Sequence, residues 1–119
     1  MNRFEIYEHP DGIARFYIEY SDKKFSTGLL VLNPGIELPK HNRPFLEILE
    51  QKYGYCVIKL FNGDKIEEKP LKEGDSLEIP IDQYHIHSNP SYHISITRWR
   101  AEGNITEIIG KIKNSYIKI

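Results

Sequence analysis

The stretch GIELPKHNRPFLEILEQKYG (residues 35–54) begins and ends on glycine, and between them sets His41, Arg43 and Glu47 at the spacing of a metal-ligand set. One member does not fit. A guanidinium carries five donors, no acceptor and a permanent charge, so Arg43 cannot hold a metal ion. A second stretch led by glycine, GDSLEIPIDQYHIHSN (74–89), carries His85 and His87 two positions apart. In an extended strand both imidazoles then face the same side. Whether the pair of stretches binds a metal, an anion, both or neither depends on what surrounds them.

Outward from these stretches, the chain is densely punctuated. Asp11-Gly12, Asn33-Pro34-Gly35, Asn62-Gly63, Glu73-Gly74-Asp75 and Asn89-Pro90 separate short runs rich in β-branched and aromatic residues. ARFYIEY (14–20) alternates, with Ala14, Phe16, Ile18 and Tyr20 on one face. TGLLVL (27–32) is continuously apolar, and YCVIKLF (55–61) leads through Asn-Gly into DKIEEK, a hairpin signal. DSLEIPI puts Leu77, Ile79 and Ile81 together, and YHISITRW (92–99) alternates again, its Trp99 opposite Arg98 and Arg100. Strands at this spacing predict an antiparallel sandwich or small barrel. Only the tail reads as helix: Asn104 with Glu107 forms a candidate capping box, and Ile105, Ile108, Ile109, Ile112 and Tyr116 recur at helical spacing. That helix is expected to close one end or side of the sheet, with a dimer contact as the alternative.

The 119 residues are one domain's worth, long enough to bury a core without disulfides. Sixteen basic and seventeen acidic residues leave a net charge of −1, so no basic field argues for nucleic acid, and two arginines in TRWR make a poor phosphate-tracking stripe. The single cysteine, Cys56, excludes an intrachain disulfide framework and reads as a small core residue. No stretch is apolar and long enough to suggest a signal peptide or membrane span, so a cytoplasmic, membrane-free protein is the expectation.

The two stretches resemble the paired motifs of the cupin superfamily, G-x5-H-x-H-x3-4-E-x6-G and G-x5-P-x-G-x2-H-x3-N. Gly35, His41, Glu47 and Gly54 match the first, and Gly74, Pro80, His85 and Asn89 the second. Arg43 replaces the second histidine, and Asp82 replaces a glycine. The resemblance implies an all-β double-stranded β-helix, or jelly roll, over residues 1–103. The helix of 104–119 would pack on the same domain, and homodimers through edge strands are expected. It also implies that His41, Glu47 and His85 point into the barrel and hold a divalent metal. Two imidazoles and a carboxylate suit iron, manganese, zinc, nickel or copper.

Three roles are open to Arg43: clamping a carboxylate or phosphate beside the metal, gripping a ligand in a metal-free pocket, or pairing with an acid such as Glu47. His87 either replaces the lost ligand or lines the pocket. Glu50 and Gln51 follow Glu47; one of them, with Gln51 the candidate, would offer the pocket a polar group, unless the strand is a wet edge. Tyr84 is a further candidate lining residue. The expected function is a metal-binding cupin taking a small anionic polar molecule, such as a sugar derivative or carboxylic acid, in the role of isomerase, decarboxylase or dioxygenase. The alternatives are a metal-free binding module and an interaction protein with a vestigial site.

Overall fold

A computed structural model describes residues 4–119; residues 1–3 of the expected barrel span lie outside it. Ten strands and one helix follow in chain order: β1 (Glu5–Glu8), β2 (Ala14–Ser21), β3 (Phe25–Leu32), β4 (Leu46–Tyr53), β5 (Cys56–Asn62), β6 (Lys65–Leu71), β7 (Ser76–Ile79), β8 (His85–Ser88), β9 (Ser95–Glu102), α1 (Thr106–Ser115) and β10 (Ile117–Lys118). All pairings are antiparallel. They build a large sheet ordered β10-β1-β2-β3-β9-β4-β7 and a small one ordered β6-β5-β8. Alternation along each strand turns one set of side chains inward, so the sheets enclose a core that includes Leu30, Leu49, Ile58, Leu60, Ile79 and Trp99.

Two local devices shape that core. Gly28 in β3 lies under the indole of Trp99, where a Cβ would stand 2.4 Å from Cζ2; the missing side chain gives the tryptophan its place. Phe16 then stacks on Trp99, with ring centroids 5.0 Å apart. Gly54 turns the chain from β4 to β5 with φ +71°, and a Cβ there would lie 2.5 Å from the Ile94 carbonyl oxygen. Only glycine meets both demands.

Several boundaries differ from the sequence reading. A bulge after Ile18 shifts the register of β2 on β3, which turns Tyr20 outward and breaks the predicted single face. β7 stops before Pro80, leaving Ile81 exposed, and β9 starts at Ser95 rather than Tyr92, which is fully exposed. In the β5–β6 hairpin Asn62 pairs with Lys65, so Gly63 and Asp64 form the loop. β4 lies between β9 and β7 and is no edge strand. Neither β1 nor β10 was legible as a strand.

The capping box does not form. Ile105 is the N-cap of α1, and Asn104 Oδ1 instead accepts hydrogen bonds from the Thr106 amide and hydroxyl. The apolar stripe does hold. Ile105 and Ile109 are buried, Ile108, Ile112 and Tyr116 half-buried, and all five lie over the open end of the barrel. The tail then returns as β10 and pairs with β1.

Candidate metal centre

The small sheet and the segment bridged to its β8 edge supply three imidazoles. Residues 36–41 run antiparallel beside β8: Leu38 donates its amide to the His87 carbonyl, and His41 and His85 exchange both backbone hydrogen bonds, at 3.0 and 2.8 Å. That register sets His41 against His85, with ring centroids 4.2 Å apart. His87, two residues along β8, adds its ring on the same face, 5.4 Å from His41 and 5.0 Å from His85. The large sheet supplies the acid. Glu47 faces inward from β4 and reaches His85 Nε2 at 3.3 Å and His87 Nε2 at 4.0 Å. One ligand atom from each of His41, Glu47, His85 and His87 lies within 4.8 Å of the others, a cluster able to hold a metal ion.

Hydrogen bonds around the cluster fix its chemistry. His85 Nδ1 lies 2.8 Å from the Gln83 carbonyl oxygen and His41 Nδ1 3.2 Å from that of Pro39. A carbonyl only accepts, so each Nδ1 carries a proton, and a neutral ring then presents a bare lone pair at Nε2. His85 Nε2 faces Glu47 Oε2, and both atoms are buried without a hydrogen-bond partner among the described residues. A neutral imidazole and a carboxylate at this distance call for a cation between them, either a proton on His85 Nε2 or a metal ion. The donor set of three nitrogens and a carboxylate fits a divalent transition metal.

Protonation agrees with that fit. Burial lowers the pKa of His41 to about 4, with the charge of Arg43 adding to the shift, and burial lowers that of His87 to about 3. Burial also pushes the Glu47 carboxyl up, but His85, His87 and His41 together outweigh it and hold the carboxyl at about 2. At neutral pH His41 and His87 are thus uncharged and Glu47 is ionised, the state in which these groups ligate metals.

The cluster opens on a cavity of about 130 Å³. His41, Glu47 and His87 line it together with Arg43 and Thr97, and the rest of its wall is apolar apart from the Tyr116 hydroxyl and the buried, unpartnered indole N–H of Trp99. Arg43 forms no ion pair among the described residues; its one side-chain hydrogen bond is a long 3.5 Å contact to the Asn42 carbonyl. Its charge still reaches both Glu47 and Tyr116 of the tail. Burial depresses the Arg43 pKa, with Glu47 opposing the shift.

The other candidates lie apart. Gln51 faces inward but belongs to a separate buried network: its amide donates to Tyr53 O and Ser95 Oγ, each at 2.9 Å, and its carbonyl accepts from Thr97 Oγ1 at 2.6 Å and Cys56 Sγ at 3.2 Å. Glu50 points outward and pairs with Lys52. Tyr84 is about half exposed on the outer surface, with Lys40 Nζ 5.3 Å above its ring, and does not line the cavity. Arg98 and Arg100 pair with Glu19 and Glu102 on the outer face. What sequence reasoning missed is the apolar wall: Phe16, Phe45 and Trp99 below, and the stripe of α1 above. The periodicity of the tail was the available signal, but it did not say what the stripe would cover.

The two motif departures have different structural meanings. Asp82 has φ +63°, the left-handed region where the resembling motif places glycine, and its amide donates to the Arg43 carbonyl at 2.7 Å. The motif's asparagine, Asn89, is fully buried and ties three segments together, donating to the carbonyls of Leu32, Asn33 and His93. The turn geometry of the motif is kept at Asp82; the ligand chemistry is changed at Arg43.

No protein-family model matches the sequence, and no curated protein does. Solved structures do match. An RmlC-like cupin from Shewanella frigidimarina is 15% identical, with 91% of this chain and 89% of that one covered and a TM-score of 0.72. Bacillus subtilis oxalate decarboxylase, described with Mn(II) centres, is 18% identical over 76% of this chain and 26% of its own, with a TM-score of 0.69. Oxalate oxidase in complex with glycolate is 19% identical over 67% of this chain, with a TM-score of 0.63, and the chain spans 42% of its length. At these identities the likeness is one of fold, and it agrees with the strand order and the inward face described above. The chain has the cupin fold.

Proposed function

We propose that this protein binds one divalent metal ion through His41, Glu47, His85 and His87, and beside it a small organic anion held by Arg43. The observation that carries the reading is the convergence of four ligand atoms within 4.8 Å, two of which, Glu47 Oε2 and His85 Nε2, are buried 3.3 Å apart without a hydrogen-bond partner among the described residues. A metal ion bound there supplies Lewis acidity toward the oxygens of a neighbouring ligand. The protein's own groups do the rest. The Gln83 and Pro39 carbonyls hold the imidazoles in one tautomer, Arg43 offers a fork for a carboxylate, and the apolar wall limits water. Such a site suits a metal-dependent isomerase, decarboxylase or dioxygenase. The Mn(II) centres named for the oxalate decarboxylase neighbour and the glycolate named for oxalate oxidase support both halves of the reading.

A metal-free pocket is the second reading, favoured by Arg43, whose charge has no acidic partner among the described residues and would repel a dication if no anion lay between them. Elemental analysis separates the two. Protein purified without a histidine tag and incubated in turn with manganese, iron, zinc, nickel and copper should retain about one equivalent of at least one metal. His85→Ala should abolish retention, and His87→Ala should weaken it. Substoichiometric metal in every case, or equal content in wild type and both variants, would sink the metal reading.

A further inference from the structure

We propose that the anion is a monocarboxylate with a compact hydrocarbon body, branched or aromatic, rather than a sugar derivative or a small hydroxy acid. The proposal deepens the reading above and rests on its anion half alone.

The cavity lining has two chemically distinct parts. One is Arg43 with the imidazole and carboxylate cluster. The other is largely hydrocarbon, with Phe16, Phe45 and Trp99 from the barrel and Ile108 and Ile112 of α1 as its roof; its polar atoms are the Tyr116 and Thr97 hydroxyls and the buried, unpartnered indole N–H of Trp99. A polyhydroxylated ligand brings more hydroxyls than these few groups can pair, and each one buried unpaired costs about 1–3 kcal/mol, a factor of roughly five to a hundred and fifty. A hydrocarbon body gains there instead. The volume of about 130 Å³ bounds that body to a small ring or a short branched chain. The guanidinium has no ion pair of its own among the described residues, and it lines the same cavity as the apolar side chains of α1. A carboxylate on Arg43 therefore leaves its body against that hydrocarbon lining.

The roof makes α1 the specificity element. Its stripe is continuous with the barrel core through Ile105 and Ile109, and the tail beyond it is held by the pairing of β10 with β1. The helix is thus a built wall, and the apolar character of the cavity belongs to the folded state.

The test is a calorimetric series on the full chain, both metal-loaded and stripped with EDTA, using benzoate, isobutyrate, glycolate and glucose 6-phosphate. Benzoate and isobutyrate should bind tightest, with affinity rising about three- to fourfold per buried methylene across a homologous series of acids. Glycolate and glucose 6-phosphate should bind at least about tenfold more weakly. Arg43→Gln should cost benzoate about ten- to a hundredfold. Ile112→Asn should erase the preference for benzoate over glycolate. Should that variant not fold, amide shifts settle the same point in wild type, because benzoate must perturb the helix from Ile105 to Ile112. Tighter binding of glycolate or the sugar phosphate, benzoate binding indifferent to Arg43→Gln, or a silent helix would overturn the proposal. Metal content, measured separately, keeps the two readings apart: Arg43-dependent benzoate binding to a protein that retains no metal defeats the metal reading and leaves this one standing.

Discussion

The buried polar side chains around Gln51 and those around Glu47 have opposite character. Around Gln51 every polar group has its partner: the amide and carbonyl of Gln51, the hydroxyls of Ser95 and Thr97, and the Cys56 thiol satisfy one another and the Tyr53 carbonyl. Around Glu47 the network does not close, because Glu47 Oε2 and His85 Nε2 are buried 3.3 Å apart and neither has a hydrogen-bond partner among the described residues. Both clusters use the inward face of β4, four residues apart in sequence. The difference teaches how to tell a site from a strut. A buried polar network that satisfies itself stabilises the fold, whereas one that leaves buried polar atoms unpartnered waits for something from outside.

Exchanging the chemistry of the two clusters should give the largest effect. Glu47→Gln keeps the shape but removes the ionised ligand, and should lower metal affinity by about a hundredfold or more, measured by competition with a chromophoric chelator. A Glu47→Gln protein that keeps wild-type metal affinity would break the comparison at its root.

Gln51→Ala tests the other member. It strands the Thr97 and Ser95 hydroxyls and the Tyr53 carbonyl, so the protein should lose about 2–4 kcal/mol while metal affinity stays unchanged. An altered metal affinity would mean the two clusters are one site.

Lower pH should strain only the Glu47 cluster. His41 and His87 remain neutral in the folded protein down to about pH 4 and about pH 3, but in the unfolded chain they take up protons near 6.5. Between those values the unfolded state binds more protons, so the metal-free protein should lose stability steadily as pH falls below 6.5. Glu47, held at about 2 against an ordinary 4.5, adds a loss of the same sign below 4.5. Unfolding midpoints measured from pH 7 to 4 should fall with a shallower slope in His87→Gln and an unchanged slope in Gln51→Ala.

The smallest effect should come from Asp82→Gly. Relieving a left-handed φ of +63° at a non-glycine residue should stabilise by about 1 kcal/mol or less, with no change in metal affinity. It sharpens the contrast by separating the departure that touches only a turn from the one, at Arg43, that alters the cavity.

Much of this was legible in the sequence, for identifiable reasons. Glycine and proline spacing marked the turns, and period-two alternation placed His85 with His87. The resemblance of the two stretches then implied that His41 and Glu47 join them. Where reading failed, the cause was a contact between distant residues. Gln51 has the same strand parity as Glu47 and so looked like a pocket residue, but Ser95 and Thr97 on β9 claim its amide. Tyr84 precedes an inward histidine and therefore points out. Tyr20 left its predicted face because of a bulge that no local pattern announced.

By itself the sequence determined the class of fold, the turns, and which side chains share a face, because these follow from backbone sterics and from periodicities carried by neighbouring residues. The tertiary structure decided that Glu47 meets His85 in a buried site where neither facing atom has a hydrogen-bond partner among the described residues, that Arg43 has no acidic partner among them, and that the helix closes over a largely apolar cavity. Each depends on groups far apart in the chain arriving at one point. Distance, desolvation and the direction of a lone pair exist only once the two sheets have packed.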